Sequence, residues 1–194
     1  MARNEDRRVQ RTRQLLREAL FALIKEKGFE KLSVQDIIDR ANVGRATFYA
    51  HFDNKEDLLL SGFDVLRASL RKRQREALSS QSGADERLFA YSYDLLSHVN
   101  EYRHLFRAMS GKRSGAAVQN VLHKLTIDLV RDDLKAMADR IDGPRSVSDA
   151  VVEFIAGGLF GLLMWWLGGK AKLSVDELNA LFRCFAIPAA KAAV

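Results

Sequence analysis

The residues best suited to chemistry in this chain stand together between Arg45 and His51. Arg45 supplies a forked cation, Thr47 and Tyr49 supply hydroxyls, and His51 supplies a ring N–H. Such groups donate hydrogen bonds to phosphate oxygens, and an arginine guanidinium matches the O6 and N7 acceptors of guanine bidentately. Ala46 is small enough to let the segment approach the bases closely, and its methyl group can touch the methyl group of a thymine. We therefore predict that this segment contacts nucleic acid and that Arg45 reads bases.

The rest of the sequence contains no recognisable catalytic motif. The sequence has no GxSxG, no GxxxxGK[ST], no HExxH and no cysteine pair. His98 and His104 are six residues apart and share a helix face poorly, which argues against a metal pair. We predict that the protein is not an enzyme and uses neither a cofactor nor a metal.

A short helix and a tight turn are predicted just before these residues. The apolar positions of the helix recur at i, i+3, i+4 and i+7, at Val34, Ile37, Ile38 and Ala41. Ser33 is placed to cap this helix, with Asp36 three residues on as the partner of a capping box. Asn42 and Gly44 then tolerate the left-handed backbone that a sharp turn requires.

A second short helix is predicted from Arg45 to about His51. Phe48 and Phe52 are four residues apart and face inward with Val43, which leaves the hydrogen-bonding side chains outside. Two helices joined by a turn of three or four residues form a helix-turn-helix, whose second helix enters the DNA major groove.

An earlier helix is predicted from about Arg7 until Gly28 stops it. Its apolar stripe comprises Leu16, Ala19, Leu20, Leu23 and Ile24. It would brace the next two helices and complete a three-helix unit. The residues before it, which include Arg3, are predicted to form a disordered arm that reaches phosphates or a minor groove.

The motif as a whole resembles the TetR family of bacterial transcriptional regulators. The resemblance covers roughly residues 8–60 and rests on Gly28-Phe29-Glu30, on Ser33, and on the run from Thr47 to Leu58, TFYAHFDNKEDL. It implies an all-α protein of about nine helices. Residues 1–55 would form the helix-turn-helix domain, and residues 56–194 a helical domain for effector binding and dimerisation.

The resemblance also implies three sets of site residues. The DNA-binding set is Ser33, Gln35, Gly44, Arg45, Ala46, Thr47, Tyr49, His51 and Lys55, with Thr47, Tyr49, His51 and Lys55 as a clamp on the backbone. An apolar and aromatic effector pocket would draw on Tyr91, Tyr93, His98, Tyr102, His104, Phe106, Met109 and Trp165. A four-helix dimer interface would involve Gly157, Gly158, Gly161, Leu178, Leu181, Phe182 and Phe185.

Composition and charge agree with a globular DNA-binding protein. The chain has 194 residues, a net charge of +6 and 47% hydrophobic residues. Residues 1–55 carry 12 Lys and Arg against 8 Asp and Glu, so most of the excess lies around the helix-turn-helix. A local positive field attracts a polyanion. The single Cys184 and the absence of a signal-peptide pattern predict a cytoplasmic protein.

Further helices are predicted along the rest of the chain. The next helix is predicted to run into the late seventies, with Asn54 as its cap and Asp57 at its third position. Later helices occupy about 84–98, 101–109 and 115–141, and two more lie at the end, with breaks at Gly111 to Gly115 and at Gly143-Pro144. Ile155–Leu167 is uncharged but shorter than the roughly 20 residues that a bilayer span needs, so we predict a buried helix. Its three glycines suggest close approach of another helix.

We predict a homodimer that binds a double-stranded DNA operator. In the family's usual mode it would be a repressor, released from a palindromic operator by an unknown small-molecule effector. Two alternatives remain open: a sequence-nonspecific architectural DNA binder, and a family member that has lost effector binding. The last two helices could also pack only within one subunit.

Overall fold

The computed structural model describes residues 2–109, 113–140, 147–169 and 171–193, and these residues form α-helices, one 3-10 turn and no strand. The helices are α1 (Ala2–Lys27), α2 (Val34–Ala41), α3 (Arg45–Tyr49), α4 (Lys55–Ser79), α5 (Ala84–Arg87), α6 (Ser92–Glu101), α7 (Arg103–Met109), α8 (Arg113–Ala138), α9 (Asp149–Leu167) and α10 (Val175–Ala192), with the 3-10 turn at Phe29–Lys31. The all-helical prediction is confirmed. The predicted break at Gly143-Pro144 lies outside the described residues. Of the break predicted for Gly111 to Gly115, the residues from Arg113 onward belong to α8, and those before it lie outside the described residues.

The chain divides into two compact units. The head unit consists of Met1–Asp64 and His104–Val118, and the body unit consists of Val65–Arg103 and Gln119–Val194. The head unit therefore extends beyond residue 55, where the sequence places the end of the first domain, and takes in α7 and the first turns of α8.

Local signals fix the helix ends in the head unit. Gly28 ends α1 with a φ of 77°, a conformation that glycine adopts without steric cost. The Ser33 hydroxyl accepts from the Asp36 amide at 3.1 Å, and the Asp36 carboxylate accepts from the Ser33 amide at 2.8 Å. This completes the predicted capping box. The Asp57 amide donates to Asn54 Oδ1 at 2.8 Å, so Asn54 caps α4 as predicted.

The start of the chain differs from the prediction. The structure continues α1 without a break from Ala2, where the sequence led us to expect a disordered arm. The segment contains no glycine or proline before Gly28, and most of its residues have good helix propensity. A helical extension of α1 therefore occupies the place of the expected arm.

A buried turn interrupts the single helix predicted for residues 84–98. Phe89 adopts a φ of 55°, and its amide donates to Asp133 Oδ2 at 2.6 Å. The Ser92 hydroxyl donates to the Phe89 carbonyl at 2.7 Å. These bonds satisfy backbone groups that a continuous helix would have paired. The chain therefore forms α5 and α6 with a turn between them.

α9 is the most apolar helix, and among the described residues it alone is long and apolar enough to cross a membrane by length and composition. One side of it faces the interior of the body unit, where Val152, Ile155, Ala156, Leu159 and Leu163 are buried. The core helix of a soluble protein passes the same test, so this composition is weak evidence for a membrane span.

Candidate nucleic-acid interface

The packing of α3 leaves its polar side chains on the surface. Phe48 is completely buried and Phe52, just beyond the helix, is nearly so, with their ring centroids 6.0 Å apart. The exposed positions are Gly44, Arg45, Ala46, Thr47 and Tyr49. α3 is only one and a half turns long, so these inward-facing rings decide which of its sides is exposed.

The turn before α3 has the predicted conformation. Asn42 closes α2 in the left-handed region, with a φ of 51°. Gly44 stands at the N-terminus of α3 and forms no side-chain cap, so the first amides of α3 remain without that partner. A Cβ at Gly44 would meet Thr47 Oγ1 at 3.8 Å, an ordinary van der Waals distance. The position therefore has room for a small side chain such as that of serine.

Arg45 is held in place by a neighbouring ring. Its guanidinium carbon lies 5.7 Å from the centroid of Tyr49, one turn along α3. Tyr49 in turn contacts buried Phe48 edge to face, at 5.3 Å between centroids. A cation over an aromatic face is attracted by the ring quadrupole, and this restricts its rotamers. The chain from Phe48 through Tyr49 to Arg45 thus presents the guanidinium in a defined position.

Lys55 has a role that the sequence did not suggest. Its ammonium donates to the carbonyls of Phe29 at 3.1 Å, Glu30 at 3.4 Å and Leu32 at 2.8 Å. It also lies 4.7 Å from the centroid of the Phe29 ring. A lysine has three N–H donors, and these contacts occupy all of them. Lys55 therefore joins the start of α4 to the 3-10 turn after α1.

The remaining predicted residues have mixed surroundings. Gln35 is exposed, and its amide donates to Asp39 Oδ1 at 2.7 Å. His51 is half-buried, with its ring 6.4 Å from that of Phe52. The Ser33 side chain is engaged in the capping box of α2. Gln35 and the α3 residues are thus available at the surface, while Ser33 and His51 are partly committed to structure.

Ion pairs join the first two helices of the head unit. Lys27 donates to Asp36 Oδ1 at 2.7 Å, which joins α1 to α2, and Arg40 pairs with Glu26 between the same helices. The hydrogen bond from Lys27, followed by those from Ser33, holds the pKa of the Asp36 carboxyl far below its usual range. Asp36 therefore stays ionised over the whole physiological pH range and keeps α2 in place.

Two further contacts in the head unit were not expected from the sequence. The Arg13 guanidinium lies 5.1 Å from the centroid of Phe52, which ties α1 to the end of the helix-turn-helix. The Ser114 hydroxyl donates to Glu30 Oε1 at 2.7 Å, which ties the start of α8 to the 3-10 turn. Both join residues that are far apart in sequence, so no local spacing could reveal them.

Comparison with known proteins assigns the family. Residues 16–61 match the profile described as "Bacterial regulatory proteins, tetR family", and residues 86–186 match one described as "Transcriptional regulator C-terminal region". The chain belongs to the TetR family. It is a DNA-binding transcriptional regulator with a helix-turn-helix, as the sequence predicted.

Individual relatives match parts of the chain. A Bacillus subtilis (strain 168) protein named uncharacterized HTH-type transcriptional regulator YxbF is 46% identical over 55 residues, which are 28% of this chain and 14% of that protein. The matched segments span 14%, 37% and 60% of three curated relatives, so the chain covers less than two thirds of each.

Solved structures match nearly the whole chain in fold. A protein assigned to the TetR-family transcriptional regulators from Syntrophomonas wolfei superposes with a TM-score of 0.76 at 18% identity, over 94% of this chain and 96% of that one. Thermus thermophilus FadR, a TetR-family repressor in complex with lauroyl-CoA, superposes with a TM-score of 0.66 at 20% identity, over 90% and 93% of the two chains. At these identities the likeness establishes the TetR fold.

The structure distributes the predicted effector-pocket residues of this TetR-family chain over both units. His104, Phe106 and Met109 lie on α7 in the head unit. In the body unit, Tyr91 is buried, and Tyr93 and Trp165 are more than 40% exposed. The rings of His98 and Tyr102 lie 4.8 Å apart between centroids and are tilted by 44°. Burial lowers the pKa of His98, which favours its neutral form.

A buried polar cluster in the body unit escaped the sequence analysis. Asp133 on α8 is fully buried, and it accepts from Gln74 Nε2 at 2.6 Å and from the Phe89 amide. Burial, the largest effect, raises the pKa of Asp133 to about 7. The Tyr91 hydroxyl is also buried and finds no hydrogen-bond partner among the described residues. Burial, and then the charge of Asp133, raises its pKa.

The α8 pattern did contain a signal for this cluster. Leu122, Leu125, Leu129 and Val130 are fully buried, and Asp133 occupies the next position of that stripe. A carboxylate on an apolar stripe predicts a buried and hydrogen-bonded acid. In the part of the chain that the structure describes, no three His, Cys, Asp or Glu side chains come together as a metal site would require.

The predicted dimer residues fall into two groups. Leu178 and Phe182 are buried within the body unit itself, at 0% and 3% exposure. Gly158, Gly161 and Phe185 are exposed, while Gly157 and Leu181 are intermediate. A Cβ placed on Gly157, Gly158 or Gly161 would meet nothing within 4 Å. The glycines of α9 therefore border open space rather than a neighbouring helix of the same chain.

Proposed function

We propose that this TetR-family regulator is a cytoplasmic homodimeric repressor that binds a palindromic operator and releases it when a small-molecule effector binds. In this proposal the protein regulates transcription by binding and releasing DNA, and it catalyses no reaction. The observation that carries this proposal is the exposed row on α3, in which Arg45 is stacked on Tyr49 beside Ala46 and Thr47.

The exposed residues of the helix-turn-helix have distinct roles in this proposal. Arg45 reads a guanine, because its stacked guanidinium is held ready for a bidentate contact. Thr47 and the Tyr49 hydroxyl bind phosphates and fix the register of α3 in the groove. Gln35 gives up its bond to Asp39 to reach a base edge. Lys55 acts through the 3-10 turn that it holds.

An exposed apolar face on α9 and α10 supports dimerisation. On α9, Phe154, Gly158, Gly161 and Trp165 recur at i, i+4, i+7 and i+11, and Phe154 is 70% exposed. On α10, Phe185 is 69% exposed. Glycines beside large exposed aromatics allow a partner helix to approach closely. An isologous pair of such faces makes a four-helix interface with closed two-fold symmetry.

Dimerisation gives the operator its form. Two recognition helices related by a two-fold axis enter successive major grooves about 34–36 Å apart, so the half-sites form a palindrome. A dimer whose recognition helices are farther apart or closer together than this spacing fits the operator poorly. An effector that binds this form more tightly than the DNA-binding form lowers operator affinity by the difference between its two binding free energies.

The Tyr91 hydroxyl is the proposed polar anchor for the effector. An unpaired buried hydroxyl costs about 1–3 kcal/mol, and an acceptor on a ligand would recover part of that cost. Tyr91 is fully buried and its ring contacts Phe89 edge to face at 6.5 Å between centroids. Because FadR of the same fold holds lauroyl-CoA, lauroyl-CoA is the first probe to use.

A binding selection on random double-stranded DNA tests the proposed operator. We expect a palindromic consensus whose half-sites lie one helical turn apart. Enrichment without any consensus would support the sequence-nonspecific alternative and contradict the repressor.

A second measurement tests release. The selected operator is titrated with protein at several concentrations of lauroyl-CoA and, in parallel, of shorter acyl-CoAs and small phenols. We expect at least one class to lower operator affinity. If operator binding stays constant with every class, the effector-independent alternative is favoured, while the operator result stands by itself.

A further inference from the structure

The first turns of α1 form a row of arginines that does not contribute to the core. Among the described side chains of the helix, the first that is fully buried is Leu16, and before it Arg7, Arg8 and Arg11 are all exposed. Because α1 is continuous through this stretch, these side chains project from a helix. We call Arg7, Arg8 and Arg11 the α1 arginine row.

A contact within the head unit places the α1 arginine row near the recognition helix. Arg13, the next arginine along α1, lies 5.1 Å from the centroid of Phe52, three residues beyond the end of α3. At a rise of about 1.5 Å per residue, Arg7 lies roughly 9 Å farther along the α1 axis than Arg13. The axis of α1 at the row therefore passes near the C-terminal end of α3, and the side chains of the row lie roughly 120–160° around α1 from Arg13.

No carboxylate of the described side chains neutralises the charges of the row. Residues 7–13 include four arginines and no acid, and within the described residues Arg7, Arg8 and Arg11 pair with no carboxylate. Two other cations of the head unit are paired, Lys27 with Asp36 and Arg40 with Glu26. Unpaired arginines beside a DNA-reading helix favour a polyanionic partner.

We propose that the α1 arginine row binds phosphates of the operator outside the bases that α3 reads. This inference rests on the proposed function. An α-helix about 10–12 Å across does not fit a minor groove about 6 Å wide, so the row lies along the sugar-phosphate backbone. Arg7 and Arg11 are one turn apart on the same face, about 6 Å along the axis, and so span neighbouring phosphates. The row adds affinity without sequence preference.

The salt dependence of operator binding tests this proposal. We compare the full chain with the double variant Arg7→Gln/Arg11→Gln, whose glutamines keep a similar helix propensity. Each phosphate contact contributes about 0.9 to the slope of log Kobs against log salt. We expect the slope to fall by about 1.8 per subunit, with lower affinity at low salt and an unchanged consensus.

The matched control is Arg75→Gln/Lys124→Gln, which removes the same charge from exposed positions in the body unit. We expect this control to keep the wild-type slope. The proposal is overturned if the α1 variant keeps that slope too, or if both variants reduce it equally.

A changed base preference in the flanks of the consensus would also overturn the proposal, since it would mean that the row reads a groove. These outcomes are separable from failure of the proposed function. If the wild-type protein selects no consensus, the operator proposal fails. If it selects one and only the slope prediction fails, the fault lies with the α1 arginine row. Circular dichroism of each variant checks that α1 remains helical.

Discussion

Substitutions at Arg45 and at Tyr49 are expected to affect different properties of DNA binding, base preference in the first case and affinity for all sequences in the second. Arg45→Ala removes the guanidinium that we propose for bidentate base recognition, so we expect a loss of about 1–3 kcal/mol at the preferred sequence and a relaxed consensus. Tyr49→Phe keeps the ring under the guanidinium and removes one hydroxyl. We expect it to weaken binding to all sequences alike, by about 1 kcal/mol.

A third variant, Tyr49→Leu, removes both the hydroxyl and the aromatic ring. It should lower affinity as Tyr49→Phe does and also broaden the consensus, because Arg45 loses the face that restricts it. Random-sequence selection followed by titration on matched and mismatched duplexes measures both effects. An unchanged consensus for Arg45→Ala would remove Arg45 from base reading.

Lys55 stabilises the turn after α1, so substituting it should change protein stability as well as DNA affinity. Lys55→Ala leaves the carbonyls of Phe29, Glu30 and Leu32 without their common donor, so we expect the free energy of unfolding to fall by about 1–3 kcal/mol. DNA affinity should fall alike for all sequences, because the turn before the helix-turn-helix loosens.

Denaturant unfolding of Lys55→Ala and of Lys55→Met, which keeps most of the apolar stem over Phe29, separates two contributions. The methionine variant should recover the packing and lack only the hydrogen bonds. If both variants bind DNA weakly but unfold as the wild type does, Lys55 contacts a phosphate directly and the structural explanation is wrong.

Helix ends in this chain show which features a sequence can predict. The caps at Ser33 and Asn54 depend on partners three residues away, and both were found from spacing. The break between α5 and α6 depends on Asp133, 44 residues from Phe89, and it was missed. The carbonyl partners of Lys55 are likewise at least 23 residues away. Contacts made only in the folded chain carry no local pattern.

The apolar stripe of α10 illustrates the same limit for surfaces. Its periodicity marks Leu178, Phe182 and Phe185 as apolar alike, yet the first two lie in the core of the body unit and Phe185 is exposed. Periodicity identifies a helix that packs against something, and the sequence does not say whether the partner is the same chain or another. The exposed residues of α3 were predicted well because two phenylalanines fix its orientation.

At the scale of α8, Asp133 predicts a pH dependence of stability. Its pKa is raised from 3.8 to about 7 by burial, so between about pH 4 and pH 7 the folded state holds a proton that the unfolded state has lost. The stabilisation is complete below about pH 4 and is lost as the pH rises through about 7. We therefore expect the Asp133 contribution to fall over that window by a few kcal/mol.

Asp133→Asn is the matched variant, because it keeps an acceptor for Gln74 or Phe89 and cannot ionise. Denaturant unfolding at intervals from pH 4 to pH 8 should show a flatter curve for the variant than for the wild type. Parallel curves for the two proteins would mean that Asp133 titrates at an ordinary carboxyl pKa.

At the scale of the whole molecule, the proposed dimer depends on the exposed face of α9 and α10. A carboxylate at Phe154 or Phe185 would be buried without a partner in the proposed interface, so Phe154→Glu/Phe185→Glu should be monomeric in light scattering coupled to size exclusion. Operator affinity should fall by about 10²–10⁴-fold, because the second half-site loses its high effective concentration. Binding to a single half-site should change little.

Val65→Glu, at another exposed apolar position outside both helices, is the control and should remain dimeric. A double variant that stays dimeric with full operator affinity would place the interface elsewhere.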